Sequence, residues 1–307
     1  MKNERKLSRQ TLSAMAAAAL GNGIFGFSFM FSRVALQVAS PLVMLMYRFV
    51  MAFLLIHLVA LWARKKQKEG WLRFRIPWKK SLPLFGLGLL QPVVYFLCES
   101  WGIKGTNATV SGVIIALIPI VALGFGALFL KEKPSLSQIA FSLLCIAGVV
   151  VMTLQQSEGG QVQPVGIVLL IGAVVFGALY NMMSRKISAA FSALERTYVM
   201  MLVGAVVFTG LAFLECRGEV ARIAAPLKDT GFILSMVYLS SLSSILAFLC
   251  LNYAATILPV GRATAFCNLT TVLSVFAGVV FLGDPFNALS ALAAVVIIIG
   301  VVGVQKT

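Results

Sequence analysis

Long apolar stretches separated by short polar corners form the dominant pattern of the 307-residue chain. Crossing a hydrocarbon core of about 30 Å takes about 20 apolar residues, with every backbone polar group satisfied inside its own helix. The pattern therefore predicts an all-α integral membrane protein with ten transmembrane helices. The predicted helices are Leu12–Phe31, Pro41–Trp62, Ser81–Trp101, Asn107–Leu130, Leu136–Leu154, Val165–Ser184, Thr197–Leu214, Thr230–Tyr253, Ala263–Leu282 and Phe286–Val304.

The pattern occurs twice, because a shift of 152 residues places each of the first five stretches on one of the last five. The triplet Phe-Leu-Cys at 96–98 recurs at 248–250, and the triplet Gly-Val-Val at 148–150 recurs at 300–302. Since five is odd, the second half enters the membrane from the opposite side, which predicts two inverted five-helix repeats. Inverted repeats are typical of secondary transporters, which hold their substrate where the halves meet. The predicted units are a cytoplasmic tail (1–11), the first repeat (12–154), an external linker (155–164), the second repeat (165–304) and a cytoplasmic C-terminus (305–307).

Composition excludes a soluble domain, since 60% of the residues are hydrophobic, 11% are charged and the mean hydropathy is +0.97. The formal net charge of +15 lies mostly in the loops. If the first helix starts inside, 19 of the 25 Lys and Arg residues are cytoplasmic, which favours cytoplasmic N- and C-termini. These 19 are Lys2, Arg5, Lys6, Arg9, Arg64, Lys65, Lys66, Lys68, Arg73, Arg75, Lys79, Lys80, Lys131, Lys133, Arg185, Lys186, Arg196, Arg262 and Lys306.

The loop at 64–80 interleaves basic residues with Trp71, Phe74 and Trp78. We interpret it as a contact with anionic lipid headgroups rather than with nucleic acid. The N-terminal apolar stretch is too long for a signal peptide, so it remains the first helix. The single His57 is expected to be packed or hydrogen-bonded between helices, and the five cysteines are expected to be packing residues.

Several motifs resemble the EamA family of the drug/metabolite transporter superfamily. They are the stretch from Gly21 to Phe29, Pro41 followed by Tyr47, Arg48 and Phe49, the corner from Trp101 to Asn107, Pro119 after Ile118, and the closing segment from Leu130 to Lys133. The second half departs from this pattern at Thr271 and Asp284, where Pro119 and Glu132 would recur, and Phe25 stands where the family usually has tryptophan. The resemblance implies a carrier for a small metabolite such as an amino acid, working by alternating access and exporting its substrate.

Glu99 lies close to the outer end of the third helix, in an i, i+4, i+8 stripe with Gln91 and Tyr95. Ionisable groups at membrane depth are costly and tend to face the bundle interior. Two interpretations remain open: Glu99 binds a cationic group or exchanges a proton in a substrate cavity, or it is a hydrated acid near the interface.

Arg48 lies about 10 Å below the outer end of the second helix, where a guanidinium needs an acceptor. We predict that it pairs with Glu99 or shares water molecules with it. The pair either orients the helices or leaves Arg48 to bind a substrate anion.

Other polar and aromatic residues lie on helices that the family resemblance places around the cavity. Phe25, Ser28 and Ser32 form one stripe, and Pro119 predicts a kink in the fourth helix. Small hydroxyl residues also serve close helix packing, so the amides of Asn181 and Asn268 are the better candidates. The predicted substrate-binding residues are Phe25, Ser28, Arg48, Gln91, Tyr95, Glu99, Trp101, Tyr180, Asn181, Asn252, Thr264 and Asn268.

The leading hypothesis is a secondary transporter of the bacterial plasma membrane that needs no cofactor or metal. Its partners are a small-molecule substrate and membrane lipids, with a monomer plausible. A flippase for a polar-headed lipid is the alternative. A membrane-embedded enzyme is disfavoured because the helices show no metal-ligand spacing and no nucleophile beside a base. A channel is disfavoured because no selectivity motif is visible.

Overall fold

The computed structural model describes residues 2–76, 81–129, 135–157, 162–258 and 266–306, and within these ranges every regular element is helical. Ten helical rods follow one another in the described ranges and are numbered in chain order. They are α1 Lys2–Ala35, α2 Pro41–Lys65, α3 Leu82–Lys104, α4 in two pieces (Ala108–Ile115 and Ile118–Phe129), α5 Leu136–Ser157, α6 Pro164–Ile187, α7 Ala193–Glu215, α8 Thr230–Ile257, α9 Cys267–Leu282 and α10 Ala288–Lys306. Short helical turns lie at Gly70–Leu72, Val220–Ala224 and Ala225–Lys228.

Each predicted apolar stretch overlaps one rod, and the eight rods α1 to α8 are long and apolar enough to cross a membrane. The apolar parts of α9 and α10 are shorter, at Leu269–Leu282 and Ala288–Gly303. The all-α membrane class is therefore confirmed for the described residues, while a count of ten membrane spans stays a prediction. The predicted corner at 130–134 lies outside the described residues.

Repeat-related positions begin α2 and α7, because Ser40 and Ser192 are 152 residues apart and both are N-caps. The Ser40 hydroxyl accepts from the Val43 amide at 3.3 Å. At α7, Ser192 and Glu195 form a reciprocal capping box. Such caps satisfy amide groups that a helix start would otherwise leave without partners.

The repeat-related helices α2 and α7 run antiparallel. Ser40 at the start of α2 donates a hydrogen bond to Glu215 at the end of α7. Farther along α2, the His57 Nδ1 atom lies 3.0 Å from the hydroxyl of Tyr198 near the start of α7, which confirms the predicted interhelical bond.

The pair α5 and α10 is also antiparallel, and its contacts exchange under the 152-residue shift. A Cβ at Gly148 would lie 2.8 Å from Ile297, and a Cβ at Gly300 would lie 2.6 Å from Cys145. The shift turns position 148 into 300 and position 145 into 297, so each contact is the image of the other. Small residues allow helix backbones to approach closely in lipid. The two halves are therefore related by an approximate two-fold exchange.

The same exchange relates the other contacts between halves. Helix α1 packs against α8 and α9, while α6 packs against α3 and α4. The two ends of the bundle are named by their contents. The basic end holds the start of α1 and the segment 66–76, since both Ser13 and Trp71 contact Tyr253 there. The linker end holds the end of α5, where Asn287 at the start of α10 donates to Gln155, and the start of α6, which follows α5 after a short linker.

Three helices depart from regular α geometry near their middles. Wider π-helical turns occupy Leu89–Val94 in α3 and Tyr238–Ala247 in α8. Gln91 has non-helical angles (φ −145°, ψ 116°) immediately before Pro92, an interruption that the sequence analysis missed. The predicted break in α4 is present at residues 116–117, just upstream of Pro119. Proline is tolerated there because it occupies the first turn of the second piece, where its missing amide costs little.

Candidate substrate cavity

A cavity of about 150 Å³ lies between the two halves. One buried water molecule needs only about 10–15 Å³, so the space is large enough for a small solute. Both repeats contribute to its wall. The lining residues used below are Asn22, Phe25, Ser28, Ser32, Arg48, Gln91, Tyr95, Phe96, Glu99, Tyr180, Asn181, Ser184, Arg185, Phe248, Asn252, Ala255, Leu258, Cys267 and Thr270.

The structure brings together nine of the twelve predicted site residues: Phe25, Ser28, Arg48, Gln91, Tyr95, Glu99, Tyr180, Asn181 and Asn252 all line the cavity. Trp101 does not; it is half-buried near the end of α3. Thr264 lies outside the described residues, and the side chain of Asn268 is likewise not described. The role of these residues in binding a substrate stays a prediction.

Two repeat-related phenylalanines contact each other in the cavity wall. Phe96 of α3 and Phe248 of α8 are 152 residues apart, and their ring centroids lie 6.3 Å from each other in an edge-to-face arrangement. Phe25 packs its ring edge-on against Phe248 at 5.1 Å. The polar lining residues form two regions, one that contains Arg48 and Glu99 and one around Asn252.

The first polar region contains a buried cation, Arg48, which is 1% exposed. Its Nε and Nη2 atoms donate to Ser244 and Ser243, each at 2.9 Å, and its guanidinium lies 4.3 Å from the Phe96 ring centroid. The predicted direct ion pair with Glu99 is not formed, because the serine hydroxyls of α8 occupy the guanidinium instead. Shared water between Arg48 and Glu99 stays a prediction.

Glu99, which is 7% exposed, supplies the negative charge of this region. Its Oε1 atom accepts a hydrogen bond from the Tyr95 hydroxyl at 2.8 Å. Gln91, Tyr95 and Glu99 all face the cavity, as their spacing predicts. Among the described residues, neither the Arg48 Nη1 atom nor the Glu99 Oε2 atom has a hydrogen-bond partner. The two buried charges therefore share one cavity without neutralising each other directly.

The second polar region is organised around the uncharged amide of Asn252. Its Oδ1 atom accepts from Tyr180 at 3.0 Å and from Ser184 at 2.9 Å, while its Nδ2 atom donates to Thr197 at 3.0 Å. The amide is thus held in one orientation by three hydroxyl groups. Asn181 lines the cavity beside it.

A second buried cation, Arg196, fixes this region, and the sequence analysis missed it. Counting Arg196 among the cytoplasmic loop residues was wrong, because α7 begins at Ala193 and Arg196 is 0% exposed. Its guanidinium donates to the carbonyl and hydroxyl oxygens of Ser184 at 3.0 and 2.6 Å and to the Asn252 carbonyl at 2.7 Å. The Ser-x-x-Glu capping box at Ser192 was the available sequence feature that places the helix start before Arg196.

Three further lining residues, Asn22, Phe96 and Phe248, are not among the predicted substrate-binding residues. Asn22 continues the Phe25 and Ser28 stripe by one turn, so its spacing was visible in the sequence. Its Oδ1 and carbonyl oxygens accept from the Thr270 hydroxyl of α9. Phe96 and Phe248 marked the repeat but were not recognised as cavity walls.

Repeat-related arginines form the same contact at opposite ends of the bundle. Arg33, in the last turn of α1, donates to the carbonyls of Ile103 and Lys104 at 3.0 and 2.9 Å. Arg185, near the end of α6, donates to the carbonyl of Ala255. Cations stabilise a helix C-terminus by pairing with its free carbonyl groups.

The cavity nevertheless treats the two ends differently. It reaches Arg185, Ala255 and Leu258 at the basic end but not their described repeat counterparts Arg33, Ile103 and Thr106 at the linker end. At the linker end the Gln163 amide also donates to the Gly105 carbonyl at 2.7 Å. The cavity therefore extends toward the basic end.

Two related helical halves around a shared polar cavity define a membrane protein of the internally duplicated, multi-pass class. The model of the EamA-like transporter family matches residues 12–154 and again residues 164–305, so the chain belongs to that family. The predicted resemblance is confirmed.

Similar proteins are also named as transporters. The chain is 32% identical over 302 residues to the uncharacterized transporter YcxC of Bacillus subtilis, covering 97% of this chain and 94% of the relative. It is 26% identical over 238 residues, 77% of each chain, to a probable terminal-alkyne amino-acid exporter of Streptantibioticus cattleyicolor. A crystal structure that is 19% identical shares the fold, with a TM-score of 0.66 over 97% of this chain and 98% of the other.

Proposed function

We propose that the protein is a secondary transporter that carries a small zwitterionic solute, such as an amino acid, out of a bacterial cell by alternating access. The observation that carries the proposal is the pair of buried, opposite charges, Arg48 and Glu99, which face one cavity between the halves without bonding to each other. Burying a charge costs several kcal/mol unless it is paired. A substrate with both charges compensates that cost at both sites.

The proposed substrate class follows from two atoms that have no hydrogen-bond partner among the described residues, the Arg48 Nη1 atom and the Glu99 Oε2 atom. The Arg48 guanidinium suits a carboxylate, since Arg–carboxylate hydrogen bonds are charge-assisted and directional. Glu99 suits an ammonium group, while the rings of Phe25, Phe96 and Phe248 suit an apolar side chain. The name of the Streptantibioticus relative, a probable amino-acid exporter, supports the same class and the same direction.

Topology supports alternating access. We infer that the second repeat is inverted in the membrane, because the related helices pack antiparallel, with α2 beside α7 and α5 beside α10. The basic end carries the exposed residues Arg64, Lys65, Lys66 and Lys68, and the positive-inside rule assigns such an end, and with it both termini, to the cytoplasm. A cavity that extends toward this end is ready to load substrate for export.

Ligand binding to purified protein tests the substrate class. An amino acid with both charges is expected to raise the melting temperature saturably, because it binds the folded state. Its methyl ester, which lacks the carboxylate, and its N-acetyl derivative, which lacks the ammonium, are expected to leave the melting temperature unchanged. Lys104→Gln is the matched control, since Lys104 is exposed and lies outside the cavity lining.

Proteoliposomes test transport itself. Arg48→Met and Glu99→Gln are expected to abolish saturable amino-acid efflux at normal membrane insertion. Wild-type efflux by both variants would remove these residues from the site. Movement of headgroup-labelled lipid in the same vesicles, without amino-acid efflux, would favour the flippase alternative.

The inverted topology has its own test at repeat-related positions. Gln67 and Glu219 are exposed, 152 residues apart, and lie at the basic and linker ends. Single cysteines introduced there are expected to react with impermeant labels from opposite sides of the membrane. Reaction of both from the same side would contradict alternating access by inverted repeats.

A further inference from the structure

A basic and aromatic surface lies at the end of α2, outside the cavity. It consists of Trp62, Arg64, Lys65, Lys66, Lys68 and Trp71, and every one of these residues is exposed. The Lys68 Nζ atom lies 4.9 Å from the Trp62 ring centroid, so charge and ring are interleaved in space as well as in sequence. We call these six residues the headgroup surface.

The chemistry of this surface fits the phosphate layer of a membrane. Lys and Arg beside a membrane span attract anionic lipids, with an affinity gain of roughly fivefold per residue. Tryptophan prefers the headgroup level, because its ring is apolar and its N–H group is polar. The acid within the stretch is Glu69, so the surface keeps a clear positive charge.

The segment that follows the surface is tied to the start of α7. The Glu195 carboxylate, 0% exposed, accepts from the Arg73 side chain at 3.3 Å and from the Arg75 amide at 2.7 Å. The Ser192 hydroxyl donates to the Arg73 carbonyl at 2.6 Å. Arg196, one residue after Glu195, holds the cavity residues Ser184 and Asn252.

A second contact leads directly to the basic end of the cavity. The Trp71 ring lies 5.3 Å from the Tyr253 ring, and the Tyr253 hydroxyl bonds to Ser13 of α1 at 2.8 Å. Tyr253 is flanked in α8 by Asn252 and Ala254, which both line the cavity. The headgroup surface therefore contacts α8, whose last turns form this part of the wall, and Tyr253 in turn contacts α1.

We propose that the headgroup surface binds anionic phospholipid headgroups of the cytoplasmic leaflet, and that this binding stabilises the arrangement in which the cavity extends toward the basic end. Lipid holds the segment in its docked position, and the docked segment braces α7 through Glu195 and α8 through Tyr253. The lipid site stands by itself, whereas its effect on the cavity rests on the proposed alternating access.

Native mass spectrometry of the full-length protein tests lipid binding. Phosphatidylglycerol is the probe, and phosphatidylcholine is the neutral comparison. The variant in which Arg64, Lys65, Lys66 and Lys68 are all changed to glutamine is expected to retain at least about tenfold less phosphatidylglycerol than wild type. The matched control removes four exposed charges at the linker end: Lys104→Gln, Arg217→Gln, Arg222→Gln and Lys228→Gln.

The control is expected to retain phosphatidylglycerol like wild type. Equal retention by the two variants would overturn the lipid site, since attraction would then depend on net charge alone. Inorganic phosphate at the same concentration is expected not to displace the lipid, and displacement would assign the surface to free phosphate instead.

Labelling of Cys267 tests the effect on the cavity without requiring transport. Cys267 is a free thiol in the cavity wall, so its reaction with a water-soluble maleimide, followed by peptide mass spectrometry, reports access. In nanodiscs, phosphatidylglycerol is expected to raise the labelling rate several-fold over phosphatidylcholine. Tyr253→Ala, outside the headgroup surface, is expected to retain the lipid but lose this response, whereas Tyr253→Phe keeps a ring against Trp71 and keeps the response. A rate that ignores lipid in the wild type would overturn the coupling and leave the substrate proposal untouched.

Discussion

The two halves of the molecule pack their helices in the same way but carry different polar residues at equivalent positions. Phe96 and Phe248 occupy equivalent positions in the cavity wall, yet Phe96 faces the Arg48 guanidinium and Phe248 faces the Tyr180 ring. The repeat counterpart of Arg48 is Met200. The repeat therefore determines where the helices pack, while the polar and charged residues of the cavity differ between the halves.

The comparison also separates the two buried arginines by role. Arg48 in α2 lines the cavity and has one nitrogen without a partner among the described residues. Arg196 in α7 is absent from the described lining, and its guanidinium donates to the carbonyl oxygens of Ser184 in α6 and Asn252 in α8. These contacts support the proposed role of Arg48 in binding substrate, and they indicate that Arg196 stabilises the fold.

The largest expected effect comes from Arg196→Met. It leaves the carbonyls of Ser184 and Asn252 without their buried donor, and we expect a loss of about 3–5 kcal/mol in the free energy of unfolding. Denaturant titration in detergent measures it. A loss below about 1 kcal/mol would show that water replaces the guanidinium.

Arg48→Met is expected to reduce substrate affinity more than it reduces stability. Loss of a charge-assisted hydrogen bond weakens amino-acid binding by about 1.5–3 kcal/mol, or roughly 10- to 100-fold, with a smaller change in stability than Arg196→Met. Calorimetric titration and the same unfolding assay provide both values. Unchanged affinity would contradict the division of roles.

The contact between α5 and α10 offers a test of symmetry itself. Gly148→Ala and Gly300→Ala are each expected to cost about 1–3 kcal/mol of stability, because an added Cβ would lie 2.8 Å from Ile297 or 2.6 Å from Cys145. Gly300→Ala is expected to cost more, since backbone atoms of Cys145 are also within 2.8 Å and cannot rotate away. Thermal unfolding compares them, with Gly124→Ala as the control because it has open space around it.

The smallest effects are expected at the paired N-caps. Ser40→Ala should cost about 1 kcal/mol and Ser192→Ala about 2 kcal/mol. Each hydroxyl accepts one hydrogen bond and donates one, but Ser192 is more buried than Ser40, so water replaces its lost bonds less readily. Equal costs in the unfolding assay would mean that the difference in burial has no effect.

Sequence periodicity was enough to predict the helices and their duplication, because apolar length and a 152-residue repeat are properties of whole elements. It was also enough to place Tyr95 and Glu99 on one wall, since i and i+4 positions share a helix face. Gln91 lines the same cavity from the interrupted part of α3. Pairing between helices was harder. Arg48 donates to the hydroxyls of Ser243 and Ser244 rather than to Glu99. Spacing along the chain does not predict which residue on another helix will be the partner.

Boundaries were the other source of error. The N-terminal end of the apolar stretch predicts a loop at Arg196, whereas the capping box at Ser192 begins the helix at Ala193. Helix α1 begins at Lys2 rather than Leu12, as neither glycine nor proline interrupts residues 2–20. In both cases the helix extends beyond the apolar stretch, because the flanking polar residues also favour helical structure.

The interlocking of α5 with α10 has a consequence for motion. Ile297 seats against Gly148 while Cys145 seats against Gly300, so axial sliding would drive each side chain into a neighbouring turn. Pivoting about the same two notches keeps both seated. Neither α5 nor α10 contributes a described residue to the cavity wall, so substitutions among the described lining residues leave this contact between the halves unchanged.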